Sequence, residues 1–305
     1  MIAGMAFVAR SAAVPVRPGE HACCRFAAAE DRRRIAVGVV GDGLQRGHRV
    51  VYLCDCDDVQ DFVSALIAFD DTIGPAMERG QLRVCSSVEA YVPDGRFDVE
   101  RMLGWLSGER DRARAEGFDG MTITGELGEA FCAAGGEAIV EEYERRLDEM
   151  GFAATVCLCQ YDHASFGSGT VSAVAGSHDV DLAPELAPIG REGALAAARL
   201  RTGALRLAGE LDFEGAPAVA DVLGAHFRGP LSLDLADLSY VDVSGLRALR
   251  GRTGQPLAIA GASEPVRRLL ELLAWDTDPD VEVLEAEAPP RRGLTTRPST
   301  KTTTT

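Results

Sequence analysis

Four apolar runs of strand length, Val50–Cys54, Leu82–Cys85, Met121–Thr124 and Thr155–Cys159, constrain this chain more than any other feature. Between them lie stretches with amphipathic helical spacing, at Asp31–Arg46, Val59–Phe69, Val99–Glu116 and Glu137–Met150. Glycines 47, 117 and 151 follow three of these stretches, where a left-handed residue ends a helix at least cost. Strands without a polar face must be covered on both sides, and alternation with helices achieves this as a parallel sheet between helical layers. The class is α/β, and 305 residues leave room for two domains.

After Gly176 the pattern breaks. Ser177–Ala197 holds two prolines, several acids and little periodicity, and reads as a linker. A smaller unit follows, with strands at Leu205–Leu211, Leu231–Leu235, Pro256–Ala260 and Val281–Leu284. Its helices are expected at Ala216–Phe227, Ser244–Gly251 and Glu264–Trp275. The division is a disordered leader over 1–17, a first domain over 18–179, a linker over 180–198, a second domain over 199–286 and a disordered tail over 287–305, rich in Pro, Arg and Thr.

Charge removes several functions. Thirty-one basic against 47 acidic residues leave a net charge of −16, the wrong sign for neutralising phosphates, so neither nucleic acid nor an anionic membrane is an expected partner. The one lysine is Lys301, in the tail, so no lysine is available for a Schiff base or a phosphate-binding loop in either domain. Gly41-Asp-Gly43 falls inside a helix and no Gly-x-Ser-x-Gly elbow occurs, which argues against ATP hydrolysis and serine hydrolase chemistry. His163, beside Tyr161 and Asp162, reads as a solvated loop residue. With no secretory pattern and no span of membrane length, the expectation is a cytoplasmic protein with reduced thiols.

In the smaller unit a buried strand runs into Asp242-Val-Ser-Gly-Leu246, where a helix begins. Ser244 then sits where free backbone N–H groups and the helix dipole favour negative charge. A capping role alone would account for an Asp or Ser at this place. The segment nevertheless resembles the STAS domain of anti-sigma-factor antagonists over about 200–285. The matching residues are Leu207-Ala-Gly-Glu-Leu-Asp212, Leu233-Asp-Leu235, Tyr240-Val-Asp-Val-Ser-Gly-Leu246 and Pro256-Leu-Ala-Ile-Ala-Gly261. The resemblance implies that Ser244 is the phosphoacceptor. It implies too that Asp242, Ser244, Gly245 and Leu246 form the partner-binding loop and that a serine-kinase-type anti-sigma factor is the partner. Val243 stands where the family commonly has another serine.

Six of the eight cysteines fall in groups: Cys23 and Cys24 beside His21, Cys54 and Cys56, and Cys157 and Cys159. Parallel strands would gather their ends, with Glu126, at one carboxyl edge where α/β sheets bind ligands. Such a cluster suits a soft metal or a small ligand, yet buried cysteine also packs as a small hydrophobe. Zinc spacings of the Cys-x-x-Cys kind are missing, so no metal cofactor is expected, and His21, Cys23 and Cys159 are the candidates if there is one.

Residues 19–178 resemble the MEDS sensory domain of methanogens and methylotrophs. The matches are His21-Ala-Cys23, Arg49-Val-Val-Tyr-Leu53, Tyr91-Val-Pro-Asp-Gly-Arg-Phe97, Thr124-Gly-Glu126 and Cys159-Gln-Tyr-Asp162. The resemblance implies a RecA-like parallel sheet without the phosphate loop. It also implies a small hydrocarbon derivative as ligand, held by His21, Cys23, Glu126, Cys159 and Tyr161. The resulting expectation is a non-enzymatic signalling protein, a sensor joined to an antagonist controlled at Ser244. A thiol- or metal-dependent enzyme and an interaction module without phosphorylation are the alternatives.

Overall fold

The computed structural model describes residues 14–56, 58–166, 176–182, 195–227, 229–251 and 255–284. In the first unit the order is β1 His21–Phe26, α1 Ala29–Gln45, β2 His48–Cys54, α2 Val59–Phe69, α3 Ile73–Glu78 and β3 Leu82–Ser86. Next come α4 Ser87–Tyr91, α5 Val99–Ala115, β4 Gly120–Leu127, α6 Glu129–Met150, β5 Thr155–Asp162 and β6 Val180–Leu182. The second unit holds β7 Leu195–Leu200, β8 Leu205–Leu211, α7 Ala216–His226, β9 Leu231–Val241, α8 Val243–Arg250, β10 Leu257–Ala260, α9 Glu264–Leu272 and β11 Val281–Val283.

All eleven strands form one sheet in the order β11-β10-β9-β8-β7-β6-β1-β5-β4-β2-β3. Pairing is parallel except at β6–β7 and β7–β8. The α/β class expected from the apolar runs is what the chain adopts. Helix ends follow local chemistry: Asp58 and Asp98 cap α2 and α5 through their carboxylates, and Gly47, Gly117 and Gly151 take positive φ beyond α1, α5 and α6.

Strand alternation sorts side chains between two layers. Cys23, Val51, Leu53, Met121, Ile123, Cys157, Cys159 and Tyr161 share a core with Met102, Leu106, Tyr143 and Leu147 of α5 and α6. The opposite faces of β1, β2 and β5 pack Ala22, Cys24, Val50, Tyr52, Val156 and Leu158 with Ala36, Val39 and Val40 of α1. A separate core, built on Leu207, Leu233, Leu246, Ile259 and Leu270, fills the second unit.

One strand is additional and two expectations need correction. His21–Phe26, outside the expected strands, is a central strand buried along nearly its whole length between β5 and β6. The 180–198 linker begins and ends in strands: Val180 is fully buried beside β1, Asp181 pairs with Arg25, and β7 hydrogen-bonds to β6 and β8. Only 183–194 is left for a linker, and those residues lie outside the described ones. The last residues of the 1–17 leader are also placed, because Val16 is buried and Arg17 pairs with Asp234 and Asp237. Residues 1–13 and the 287–305 tail lie outside the described residues.

An ion-pair network crosses between the units. Arg206 on β8 donates two bonds to Glu20, at 2.7 and 2.8 Å, a third to the Pro15 carbonyl at 3.2 Å and a fourth to Asp234 at 3.1 Å. Arg17 adds contacts to Asp234 and Asp237 at 2.9 and 2.8 Å. With Ala198 of β7 packed against Val16, Ala22 and Val180, the boundary is both apolar and charged.

Candidate functional site

The residues expected to form one ligand site fall on two faces of the sheet. His21 at the start of β1, and Cys23, Cys159 and Tyr161, face α6. Glu126 on β4 points the other way, toward α1.

On the α6 face, His21 Nε2 lies 3.4 Å from Cys159 Sγ and 3.2 Å from Glu144 Oε2. His178, two residues before β6, brings its Nε2 to 3.3 Å from the same Glu144 oxygen. Cys159 Sγ is 3.8 Å from Glu144 Oε2, and the Tyr161 hydroxyl donates to Glu144 Oε1. Asp148, one helical turn beyond Glu144, holds His21 Nδ1 at 2.7 Å. The two imidazole rings lie with centroids 4.1 Å apart. His21, Glu144, Cys159 and His178 are all buried.

Electrostatics here is governed by burial against close opposite charges. Burial alone would strip the proton from each imidazole, but Cys159, Asp148 and Glu144 around His21 hold its pKa well above the ordinary range. Cys23 and Glu144 do the same for His178. Burial also disfavours the Glu144 carboxylate, yet His178 and His21 outweigh it and keep Glu144 ionised far below the usual carboxylate range. The Cys159 thiol is pushed up, first by its hydrogen bond with the Cys157 thiol and then by burial. Cys23 lies at the rim, its Sγ 3.8 Å from Asp181.

Glu126 has no oxygen to spare. Arg32 donates to Oε1 at 2.8 Å and Oε2 at 2.6 Å, the Tyr52 hydroxyl to Oε1 at 2.6 Å, and the Asp55 amide to Oε2 at 2.6 Å. This fully buried carboxylate ties α1 to the loop after β2. Cys54 at the end of β2 and Cys56 in that loop form a disulfide, which corrects the expectation that every thiol is reduced. The glycine of the Thr124-Gly-Glu126 motif has a packing reason, since a Cβ there would lie 2.0 Å from the Tyr91 hydroxyl.

In the second unit Asp242, not Ser244, caps α8. Its Oδ1 accepts from the Gly245 amide at 2.8 Å and its Oδ2 from the Phe213 amide at 3.0 Å. Ser244 is exposed on the first turn. Gly245 and Leu246 do not reach the surface: a Cβ at 245 would lie 2.5 Å from the Leu211 carbonyl oxygen, and Leu246 is 0% exposed. Helical spacing turns these two inward with Leu249, so they support the loop without offering contacts. Around Ser244 the exposed apolar side chains include Phe213, Tyr240 and Val243, none of which was a candidate partner-binding residue in the sequence. Exposed aromatics near a helix start were the available signal.

The fold defines a two-unit α/β protein on one sheet, with a closed polar centre in the first unit and an exposed serine opening a helix in the second. Residues 20–179, just over half of the chain, match the model of the MEDS family, the methanogen/methylotroph, DcmR sensory domain, and the chain belongs to that family. Residues 195–285 match a STAS domain of the Mlab type, which supports a signalling role like that of the anti-sigma-factor antagonists. No curated protein matches the chain.

Among solved structures, the flagellar accessory protein FlaH from Methanocaldococcus jannaschii is similar at 15% identity and a TM-score of 0.41, over 61% of this chain and 79% of that one. A KaiC-like protein from Pyrococcus horikoshii is similar at 13% identity and a TM-score of 0.37, over 55% and 74%. Likeness at this level carries nothing about ligands or activity. Among the described residues, no helix is long and apolar enough to cross a membrane.

Proposed function

We propose that this chain is a non-enzymatic cytoplasmic regulator whose STAS unit binds a serine-kinase-type anti-sigma factor and is switched by phosphorylation of Ser244. The observation that carries the reading is the exposed Ser244 hydroxyl at a helix start already capped by Asp242, on a surface that also exposes Phe213, Tyr240 and Val243. A phosphate there adds a charge of about −1.5 to −2. The first turn of a helix tolerates that charge, so α8 stays folded while an apolar contact surface becomes costly to desolvate. In the same reading the MEDS unit binds a small hydrocarbon derivative, and the continuous sheet carries its effect to the STAS surface.

The test incubates the full chain with a serine-kinase-type anti-sigma factor from the same genome and magnesium ATP, then maps phosphate by mass spectrometry. Phosphate on Ser244, with Ser244→Asp binding the kinase at least tenfold more weakly than wild type, supports the switch. Phosphate elsewhere, or equal binding by wild type and Ser244→Asp, refutes it. Sensing predicts that the affinity for the kinase shifts when short alcohols or halomethanes are titrated; an unchanged affinity refutes that half of the reading.

A further inference from the structure

The contacts inside the α6-face cluster lie close to the edge lengths of a coordination tetrahedron. Zinc binds imidazole or carboxylate at about 2.0–2.2 Å and thiolate at about 2.3 Å, which places tetrahedral donors roughly 3.3–3.7 Å apart. The observed separations are 3.2 and 3.3 Å from Glu144 Oε2 to the two imidazoles, 3.4 Å from His21 Nε2 to Cys159 Sγ and 3.8 Å from Cys159 Sγ to Glu144 Oε2. The ligand atoms of His21, Glu144, Cys159 and His178 all lie within 4.8 Å of one another.

Groups around the four donors fit the same purpose. Asp148 grips His21 Nδ1, leaving Nε2 as the inward atom, and a carboxylate behind a histidine is the usual outer partner of a metal-bound imidazole. Tyr161 occupies the other oxygen of Glu144, and Ser177 Oγ lies 3.4 Å from His178 Nδ1.

We propose that these four side chains form a closed, four-coordinate site for a borderline divalent metal ion of the Zn²⁺ class. Two imidazoles, a thiolate and a carboxylate suit zinc better than a hard ion such as Mg²⁺, and the two anionic ligands neutralise the dication in a buried place. Binding displaces the thiol proton and any imidazole protons to solvent. With all four positions filled by protein the ion is structural. It pins α6 to β1 and β5, and through His178 it fixes the approach to β6, the strand joining the two units. The site stands independently of the Ser244 switch.

The test strips the full-length protein with a chelator and titrates it with Co²⁺ and Zn²⁺. The expected result is one ion per chain, intense visible bands of tetrahedral Co²⁺, and a thiolate-to-cobalt charge-transfer band that Zn²⁺ abolishes. Cys159→Ser is expected to lose the charge-transfer band. Asp148→Asn, at a side chain 37% exposed, keeps the four ligands and is expected to bind Zn²⁺ about 10–100-fold more weakly. Substoichiometric uptake by folded protein, or a charge-transfer band that survives in Cys159→Ser, overturns the site. If Cys159→Ser does not fold, Asp148→Asn decides, and an unchanged Zn²⁺ affinity overturns it.

Discussion

Replacing Arg206 by Met keeps the aliphatic stem and removes the guanidinium that joins the two units. The Arg206 side chain is 4% exposed and spends four hydrogen bonds on Glu20, Asp234 and the Pro15 carbonyl. Breaking a buried pair by removing one partner costs about 3–5 kcal/mol. Glu20 retains some solvent and the Arg17 amide, and Asp234 retains Arg17, so about 2–3 kcal/mol is the appropriate figure here. The chain has two tryptophans, Trp105 in the first unit and Trp275 in the second, and Phe substitution of either leaves a reporter for the other. In guanidinium chloride the two reporters are expected to share one transition in otherwise wild-type protein. Arg206→Met should lower the Trp275 midpoint by roughly 0.5–1 M and separate the two curves. Midpoints that stay together and move by less than about 0.2 M, or curves already separate before the substitution, refute mechanical coupling through this network.

Other perturbations test other parts of the account. Asp242→Ala removes the α8 cap and should cost about 0.5–2 kcal/mol by thermal unfolding. Leu246→Ala opens a cavity in the second core and should cost about 2–5 kcal/mol, whereas Phe213→Ala should leave unfolding within about 0.5 kcal/mol and weaken kinase binding. Metal-free protein has a definite pH signature. The raised pKa values of His21 and His178 give stability that is complete below their unfolded pKa of about 6.5 and lost as pH rises through the folded values. The lowered pKa of Glu144 gives stability present above about 4.3 and lost as pH falls through the folded value. The melting temperature of chelated protein should therefore peak between about pH 4.5 and 6.5 and decline toward pH 8; one that climbs steadily across that range contradicts the assignment.

The sequence displayed most of the layering because the signal is local: Val59–Phe69 and Leu205–Leu211 match the structure to the residue. β1 escaped because His21-Ala-Cys-Cys-Arg-Phe26 lacks an aliphatic run, its burial being set by neighbours 130 or more residues away. β9 runs six residues past Leu235, where Asp237 and Ser239 interrupt the apolar pattern while pairing with β8 continues through register shifts. The Ser244 loop was readable, since cap, hydroxyl and helix start are contiguous. The buried centre was half readable: His21 and Cys159 stood out, but Glu144 looked like any helical acid. Its spacing of four from Asp148 was the available hint, and His178 sat in what read as linker.

The shared sheet also limits how the protein can be divided. β7, Leu195–Leu200, is paired on one side by β6 and on the other by β8. A chain beginning at residue 195 would keep the second core and leave that strand with an open row of amides and carbonyls. Its sequence, Leu-Ala-Ala-Ala-Arg-Leu, carries one charge, few safeguards against pairing with another copy. The second unit made alone should self-associate through this border, and a lysine introduced at Ala196 or Ala198 should restore the monomer.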